Sequence, residues 1–498
     1  MTAPSRVRPA ETGHSAFTRR TLVKGAAWAT PVAAFSLSAP VMAASPGECD
    51  PAGTLYDSTG TGRLLSGSIL AADLDAVASV NGATAEVDAT TAPTDEETNP
   101  LSAGVLNAVQ LNLTGLADTL SDLLNFNTDT GVLNQYGYAN QDGTVRGASG
   151  AVTDNGSVRL EPSEGWPELA SLDLRKVVER IGGSGTSDFL ASVANAELSI
   201  GEVAGRTQFN SLCNPPADLE RDYLVSYLKA DVTSPTVGAT VGTINGTLGG
   251  LTSGLVGTLN SLPLVKALLR VDSLSLSLDT AQVPAGTGRP VQLALSDPAV
   301  VTVDLAALLG GAYANTTASP WLNTLLANTR LFVDAPLPTD ALAREVGTLV
   351  DAVLGAIRVD IRVLLGSVPV TITGSLADLI SGNATVQPAL PGVGSAILTL
   401  IGTTIRDAIL AAGALTPLTG ALNLLPQGLF TVLTEVVVLT INAQNGEPGA
   451  VPDDLAALPD GRFDVAALHI GAVDAGGLDL LDVYLGRGSG GENLVRSV

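Results

Sequence analysis

The sequence predicts an α+β fold: a β-rich body of antiparallel, sandwich-like sheets with several amphipathic helices packed against it. Three observations lead there. Short segments alternate apolar and polar residues between Asn-Gly and Asp-Gly turn signals. Longer stretches repeat Leu, Ile or Val at helical spacing. Aromatic residues make up only 4% of a chain that is 45% hydrophobic, so the core is built from aliphatic layers.

The first 44 residues stand apart. Thr18-Arg19-Arg20-Thr21-Leu22-Val23-Lys24 runs into an apolar stretch that ends at Val41-Met42-Ala43-Ala44. That stretch is too short and too alanine-rich to span a bilayer. Paired Arg19 and Arg20, followed by Lys24 and by small residues at Ala43 and Ala44, resemble a twin-arginine export signal with its cleavage site. Residues 1–44 are therefore expected to be removed on export across the plasma membrane of a bacterium.

Residues 45–235 form a β-rich N-terminal region. Ser157 to Glu161, Ala196 to Ile200 and Val225 to Val232 alternate as strands do, while Asn81-Gly82, Gln141-Asp142-Gly143 and Asp154-Asn155-Gly156 mark turns. Residues 88–100, rich in Thr, Pro, Asp and Glu, read as an exposed loop.

Residues 236–498 change texture to helix plus strand, packed with the first region as one unit. Val237, Val241, Ile244, Leu248, Leu251, Leu255, Leu259 and Leu262 make one helical stripe, stopped at Pro263. Gly238, Gly242, Gly246, Gly250 and Gly254 recur beside it as a ridge that would admit a close backbone. The Thr- and Asn-rich opposite face favours a helix packed on a sheet over one in a membrane. So many glycines also predict some irregular backbone. Further stripes run through Leu342, Val346, Leu349, Val353 and Ile357, and through Val393, Ile397, Ile401, Ile405 and Ile409. Strands are expected at Ser273 to Leu278, Val291 to Leu295, Pro369 to Ile372, Val432 to Asn442 and Phe463 to Val483. A faint internal repeat links Leu269-Arg270-Val271-Asp272 with Ile357-Arg358-Val359-Asp360. Each is followed by a Pro-Val strand (Pro290-Val291, Pro369-Val370) and a Leu-Ala segment (Leu305-Ala306, Leu376-Ala377). The units read as helix–strand–strand, each adding to a common sheet.

Charge and composition exclude several chemistries. The chain carries 25 basic and 49 acidic residues, and the signal takes five of the basic ones, so the remainder repels nucleic acid. Beyond it only Lys176, Lys229 and Lys266 remain as lysines. Cys49 and Cys213 are the only cysteines, and an even count in an oxidising compartment reads as one disulfide. Pro46-Gly47-Glu48 before Cys49 does not suit lipidation. No anchor is expected at the C-terminus, where Gly486-Arg487-Gly488-Ser489-Gly490-Gly491-Glu492-Asn493 lies close to the last residue, Val498. Leu458-Pro459-Asp460-Gly461 and Leu337-Pro338-Thr339-Asp340 both fail the wall-sorting pattern.

With His14 in the signal, His469 is the single remaining histidine, too little for a nucleophile–base triad or a zinc site. No cofactor fingerprint appears. Asn127-Thr128-Asp129-Thr130-Gly131 and Asp142-Gly143 offer oxygens to calcium without EF-hand spacing, and read as turns. Lys229, within Tyr227-Leu228-Lys229-Ala230-Asp231, is the best placed lysine for an isopeptide crosslink, although a solvated lysine is the simpler reading.

Gly62-Arg63-Leu64-Leu65-Ser66-Gly67-Ser68, Val132-Leu133-Asn134-Gln135-Tyr136, Ala148-Ser149-Gly150-Ala151-Val152 and Arg221-Asp222-Tyr223-Leu224 together resemble the choice-of-anchor G family of exported actinobacterial proteins. The resemblance covers most of the chain beyond the signal. It implies an exported region borne by different surface anchors in different members, and no catalytic residue.

These readings lead to a secreted or cell-surface structural or interaction protein, without cofactor or metal. Its expected partners are cell-wall or surface components, with no permanent membrane span. An extracellular hydrolase acting through paired carboxylates is the alternative, signalled by acids in a deep cleft with Trp166 or Trp321. A hydrophobic-ligand module is another, signalled by a large dry pocket beneath residues 237–262.

Overall fold

The computed structural model describes residues 48–69, 72–74, 82–101, 123–127, 133–159, 167–181, 187–216, 218–310, 319–336, 339–388, 394–473 and 479–496. The export-signal segment, Asn81, residues 128–132, Trp166 and Val393 lie outside them. Cys49 to Val498 form one compact unit.

All strand pairing within the named sheets is antiparallel. An eight-stranded sheet runs Thr329–Arg330, Val437–Gln444, Phe463–Val473, Asp479–Gly490, Tyr56–Ile69 and Leu494–Val495, with Ala72–Asp73 and Ala83–Val87 also paired to the Tyr56–Ile69 strand. A five-stranded sheet runs Glu220–Val225, Val203–Asn210, Thr144–Gly150, Asn134–Asn140 and Thr94–Thr98. These two stack face to face as the predicted sandwich.

The interface between them is lined by glycine. On one side lie Gly60, Gly62 and Gly488; on the other, Gly147 and Gly205. A Cβ added to Gly62 would strike the Ala148 carbonyl oxygen, and one on Gly147 would strike the Thr61 and Ser489 carbonyls. Sheets normally pack about 10 Å apart because side chains interdigitate. Here the side chains are missing and backbone meets backbone. Buried polar side chains then bond across the gap. Leu64 N donates to Gln135 Oε1 at 2.9 Å, and Thr207 Oγ1 donates to the Gly488 carbonyl at 3.0 Å. The Ser149 hydroxyl lies 2.9 Å from the carbonyl oxygens of both Arg63 and Arg487.

A seven-stranded sheet runs from Pro284–Ala285 through Val291–Ala294, Ala299–Asp304, Leu228–Ser234, Asn195–Gly201 and Glu168–Asp173 to Leu124–Phe126. It draws strands from both sides of residue 235, which binds the two sequence regions together. The alternation from Val225 to Val232 is interrupted at Ser226 and Tyr227, where the chain crosses from the five-stranded to the seven-stranded sheet. Its partner crosses beside it at Gly201 and Glu202, tied by Gly201 N to Tyr227 O at 3.1 Å and Ser226 N to Glu202 O at 2.9 Å.

The four-stranded sheet (Arg270–Leu278, Ile357–Leu365, Val368–Ser375, Thr385–Gln387) pairs the two halves of the internal repeat directly, with Leu276 opposite Val359. The repeat is incomplete: Val370 joins this sheet, whereas Val291 enters the seven-stranded one. Leu305–Gly310 and Leu376–Ser381 are both short helices. Each starts from a capping side chain at the end of its strand. Asp304 accepts from Ala307 N at 2.9 Å, and Ser375 accepts from Asp378 N at 3.1 Å.

The Pro235–Ser261 helix is continuous, opened by Ser234 as N-cap to Val237 N and by Pro235 in its first turn. Its predicted stripe packs on the Arg270–Leu278 strand and on helices Ser395–Ala411 and Thr416–Glu435. Val237, Ile244, Leu248, Leu255 and Leu259 are buried. Burial of that face outweighs the glycine penalty, which corrects the expected irregularity. The glycine ridge is also corrected: a Cβ at Gly242, Gly246, Gly250 or Gly254 would meet nothing within 4 Å, so the ridge faces open space. Helix Thr339–Gly355 carries Leu342, Val346, Leu349 and Val353 of the predicted stripe, while Ile357 opens the next strand, and Ser395–Ala411 carries Ile397 to Ile409.

Three other expectations change. Within 88–100, Thr94–Thr98 is an exposed edge strand rather than loop. In Ser157 to Glu161 the described residues make only a bridge from Val158 to Val152, because Thr153 and Ser157 bond each other across the Asp154-Asn155-Gly156 turn. Val432 to Glu435 complete the Thr416–Glu435 helix, and the strand starts at Val437. Leu418, Leu422, Leu425, Leu429 and Leu433 make a further stripe buried along one side of that helix. Among the described residues no single helix is long and apolar enough to cross a membrane. The bent pair Ser395–Ala411 and Thr416–Glu435 passes only when joined at a 63° break, and Ile401, Ile405, Leu425 and Leu429 of that pair are buried in the core.

Cys49 and Cys213 form the expected disulfide, closing 164 residues. Cys49→Ser paired with Cys213→Ser is expected to cost about 3–5 kcal/mol by the chain-entropy account, read as a lower urea midpoint with a steeper slope as the unfolded chain expands. The glycine contacts predict opposite signs for two alanines. Gly62→Ala should lose at least the roughly 1–3 kcal/mol of an overpacked core, since a backbone carbonyl blocks it. Gly246→Ala, on the open helix face, should gain about 1 kcal/mol in the same urea melts.

Candidate functional site

The glycine alternation that seals the sandwich also builds its outer face. In Gly60-Thr61-Gly62-Arg63 every second residue turns inward as glycine, so Thr61 and Arg63 turn outward. Ser489 and Arg487 do the same in the neighbouring strand. The register sets Thr61 opposite Ser489 and Arg63 opposite Arg487. The Ala83–Val87 strand adds Thr84 opposite Thr61 and Glu86 opposite Thr59. The helix Asp453–Ala456 and the turn after it supply Asp454, Leu458 and Arg462. Together these residues line a cleft of about 580 Å³.

Its floor is an ion cluster on Asp464, whose side chain is fully buried. Arg487 approaches one carboxylate oxygen at 2.6 Å and Arg462 the other at 3.1 Å, while the Ser489 hydroxyl donates at 2.7 Å. Burial by itself would raise this carboxyl; the two guanidinium groups and the hydroxyl more than reverse it and hold Asp464 below the usual carboxylate range. Arg487 also lies 5.4 Å from the ring centre of Tyr484. Gly486, at φ +64°, interrupts the alternation and lets those two side chains share a face.

At the cleft's edge His469 is buried. Its Nε2 lies 2.7 Å from Asp482 Oδ1 and its ring 4.5 Å from that of Tyr484. Burial works to raise Asp482, but the bond to His469, with smaller help from Asp454 and Tyr484, brings it below the ordinary range. No nucleophile completes a triad with this pair among the bonds described.

Other sequence candidates lie elsewhere. Lys229 Nζ sits 4.5 Å from the Tyr227 ring centre, and Lys229 stands opposite buried Asp304 in register. Asp142-Gly143 is a hairpin turn in which Asp142 accepts from Thr144 N at 2.9 Å. Among the described residues no group of His, Cys, Asp and Glu is arranged to hold a metal. Trp321 packs on the main core and not in the cleft. Arg221, from the fourth resemblance motif, is spent on structure: it donates to the Asn445 carbonyl at 2.6 Å and lies 3.3 Å from Glu447.

Sequence reasoning missed Arg462, Asp464 and Arg487 as a cluster. The available signal was the Gly–polar alternation shared by Gly60 to Arg63 and Gly486 to Gly490, two segments that happen to pair.

Fold and site thus define a mixed α+β, β-rich protein built on a glycine-sealed sandwich with an arginine-lined outer cleft. The chain belongs to the family described as a domain of unknown function (DUF8394), whose model matches residues 60–491. That span opens at Gly60 and closes one residue past Gly490, its partner in register. No curated protein and no solved structure matches the chain.

Asp464→Asn leaves Arg462 and Arg487 facing a neutral amide in a buried site, and should cost about 3–5 kcal/mol at neutral pH. Because the folded carboxyl is depressed, its contribution is complete above the ordinary carboxylate pKa and is lost as pH falls through the folded value. The gap between wild type and variant in urea midpoints should therefore narrow below about pH 4.

Proposed function

We propose that this chain is exported and acts outside the cell as a non-catalytic structural or interaction protein with cell-wall or surface partners. The observation that carries the reading is the Cys49–Cys213 disulfide. It ties the residues just behind the export-signal segment to the body of the fold, and such a bond persists in an oxidising compartment. The twin-arginine pattern at Arg19 and Arg20 supports the same address. So do the motifs resembling the choice-of-anchor G family: Gly62, Leu64, Gln135 and Ser149 all serve the sandwich interface, as parts of a scaffold would.

Fractionating a native culture into medium, wall and membrane, with intact-mass analysis, tests this. The expected product begins near Ala44 and weighs two hydrogens less than its reduced form. Full-length, reduced protein confined to the cytosol would remove the reading.

A hydrolase reading draws on one feature, the approach of Asp482 to Asp454 at the cleft's edge. Release of reducing ends from a glycan panel by wild type, absent in Asp482→Asn, would replace the non-catalytic reading. Against the hydrophobic-ligand reading stands the packing of helix Pro235–Ser261 on a sheet and two helices.

A further inference from the structure

We propose that the outer cleft of the sandwich is a binding site for an oxyanion carried on a hydroxylated scaffold, such as a uronate or a polyol phosphate. The proposal concerns the purified protein and stands apart from where the chain is delivered. Its basis is an electrostatic exception. The chain has a net charge of −24 and only 25 basic residues, yet Arg63, Arg462 and Arg487 all line this one cleft.

Sheet register places Arg63 directly opposite Arg487 on adjacent strands. Like charges in that position repel, and a fold with no use for them would be expected to avoid the pairing. Asp464 compensates part of the charge from beneath. It engages Arg487 at 2.6 Å and Arg462 at 3.1 Å, orients both guanidinium groups, and is itself sealed from solvent. Acids at the wall, Glu86 and Asp454, together with Asp464 beneath, match the three arginines in number, so the cleft does not suit a dense polyanion. It suits one oxyanion, which a planar guanidinium meets with paired N–H donors.

The rest of the lining points to what carries that anion. Thr59, Thr61 and Thr84 present hydroxyl groups beside the arginines, and Thr61 and Thr84 lie 3.3 Å apart across paired strands. Leu458 is the one large apolar residue in the lining. Hydroxyl donors and acceptors in this density match sugar or polyol hydroxyls better than an aliphatic chain. The cleft volume, about 580 Å³, accommodates one or two sugar units. The strands that form its sheet wall are locked by the glycine interface, so that wall is fixed before a ligand arrives.

The test is titration of the full chain, followed by calorimetry and thermal shift at low ionic strength, with glucuronate, glycerol 3-phosphate and glucose. Saturable binding of at least one of the two anions, weakened by added salt and absent for glucose, is the expected result. The two anions distinguish a carboxylate from a phosphate ligand, and either supports the site. Arg63→Gln should weaken binding by about tenfold or more, the loss of one charge-assisted pair. Thr84→Glu, which adds a negative wall and disturbs no ion pair given for the floor, should abolish it even if Arg63→Gln proves unstable. Lys266→Gln, on the exposed Pro263–Leu268 helix far along the chain, should bind as wild type does. Absence of saturable binding by both anions, equal binding of glucose, or wild-type affinity in folded Thr84→Glu would each overturn the proposal.

Discussion

Contact between the backbones of two sheets governs this fold. Where Gly60, Gly62 and Gly488 face Gly147 and Gly205, no side chain separates the layers, and carbonyl oxygens occupy the space a Cβ would need. Ordinary sandwiches gain their stability there from interdigitated apolar side chains. This one substitutes close packing and side-chain hydrogen bonds from Gln135, Ser149 and Thr207 to the opposite backbone. Such bonds are directional and fully buried, so they fix register as well as separation. Most aliphatic burial lies beyond that contact, and the eight-stranded sheet shares in it through Leu65, Ile69, Leu439, Leu468 and Leu485. There the seven- and four-stranded sheets and the helices Pro235–Ser261, Thr339–Gly355, Ser395–Ala411 and Thr416–Glu435 enclose one continuous core.

The same alternation decides the chemistry of the outer face. A strand that spends every second residue on glycine has only the remaining positions with which to meet solvent. In both central strands those positions carry Thr, Arg and Ser. Their functional groups are consequently aligned in rows, and register converts two rows into a lined cleft. Asp464 is what makes the row of cations tolerable. Buried ion pairs contribute little to stability compared with an apolar replacement, but removing one partner is severe. That asymmetry makes Asp464 an organiser of the arginines more than a source of net stability.

Much of the helical half was legible in the sequence. The Val237, Leu342 and Ile397 stripes each became a helix with those residues buried, because a period near 3.6 leaves a single apolar side that only a core can accept. The repeat around Arg270 and Arg358 foretold two strands in one sheet, and they lie side by side. The turn at Gln141-Asp142-Gly143 closed a hairpin as expected. Less was legible where neighbours override local pattern. Alternation from Val225 to Val232 concealed a crossing between sheets, since a period of two does not say which sheet a strand joins. The glycine ridge of the long helix suggested a close partner, but Gly242 to Gly254 face open space, while the interface glycines that do meet backbone were dispersed through four separated strands.

By itself the sequence determined the class of fold, the aliphatic core, the helical faces, the cysteine pair and the acidic character. Each of these follows from composition or from a period within one segment. Tertiary structure alone decided the cleft. Arg63 is more than 420 residues from Arg487, and nothing local to either segment says that they face each other. Only the antiparallel pairing of Tyr56–Ile69 with Asp479–Gly490, held by the glycine contact with the second sheet, brings them together over Asp464.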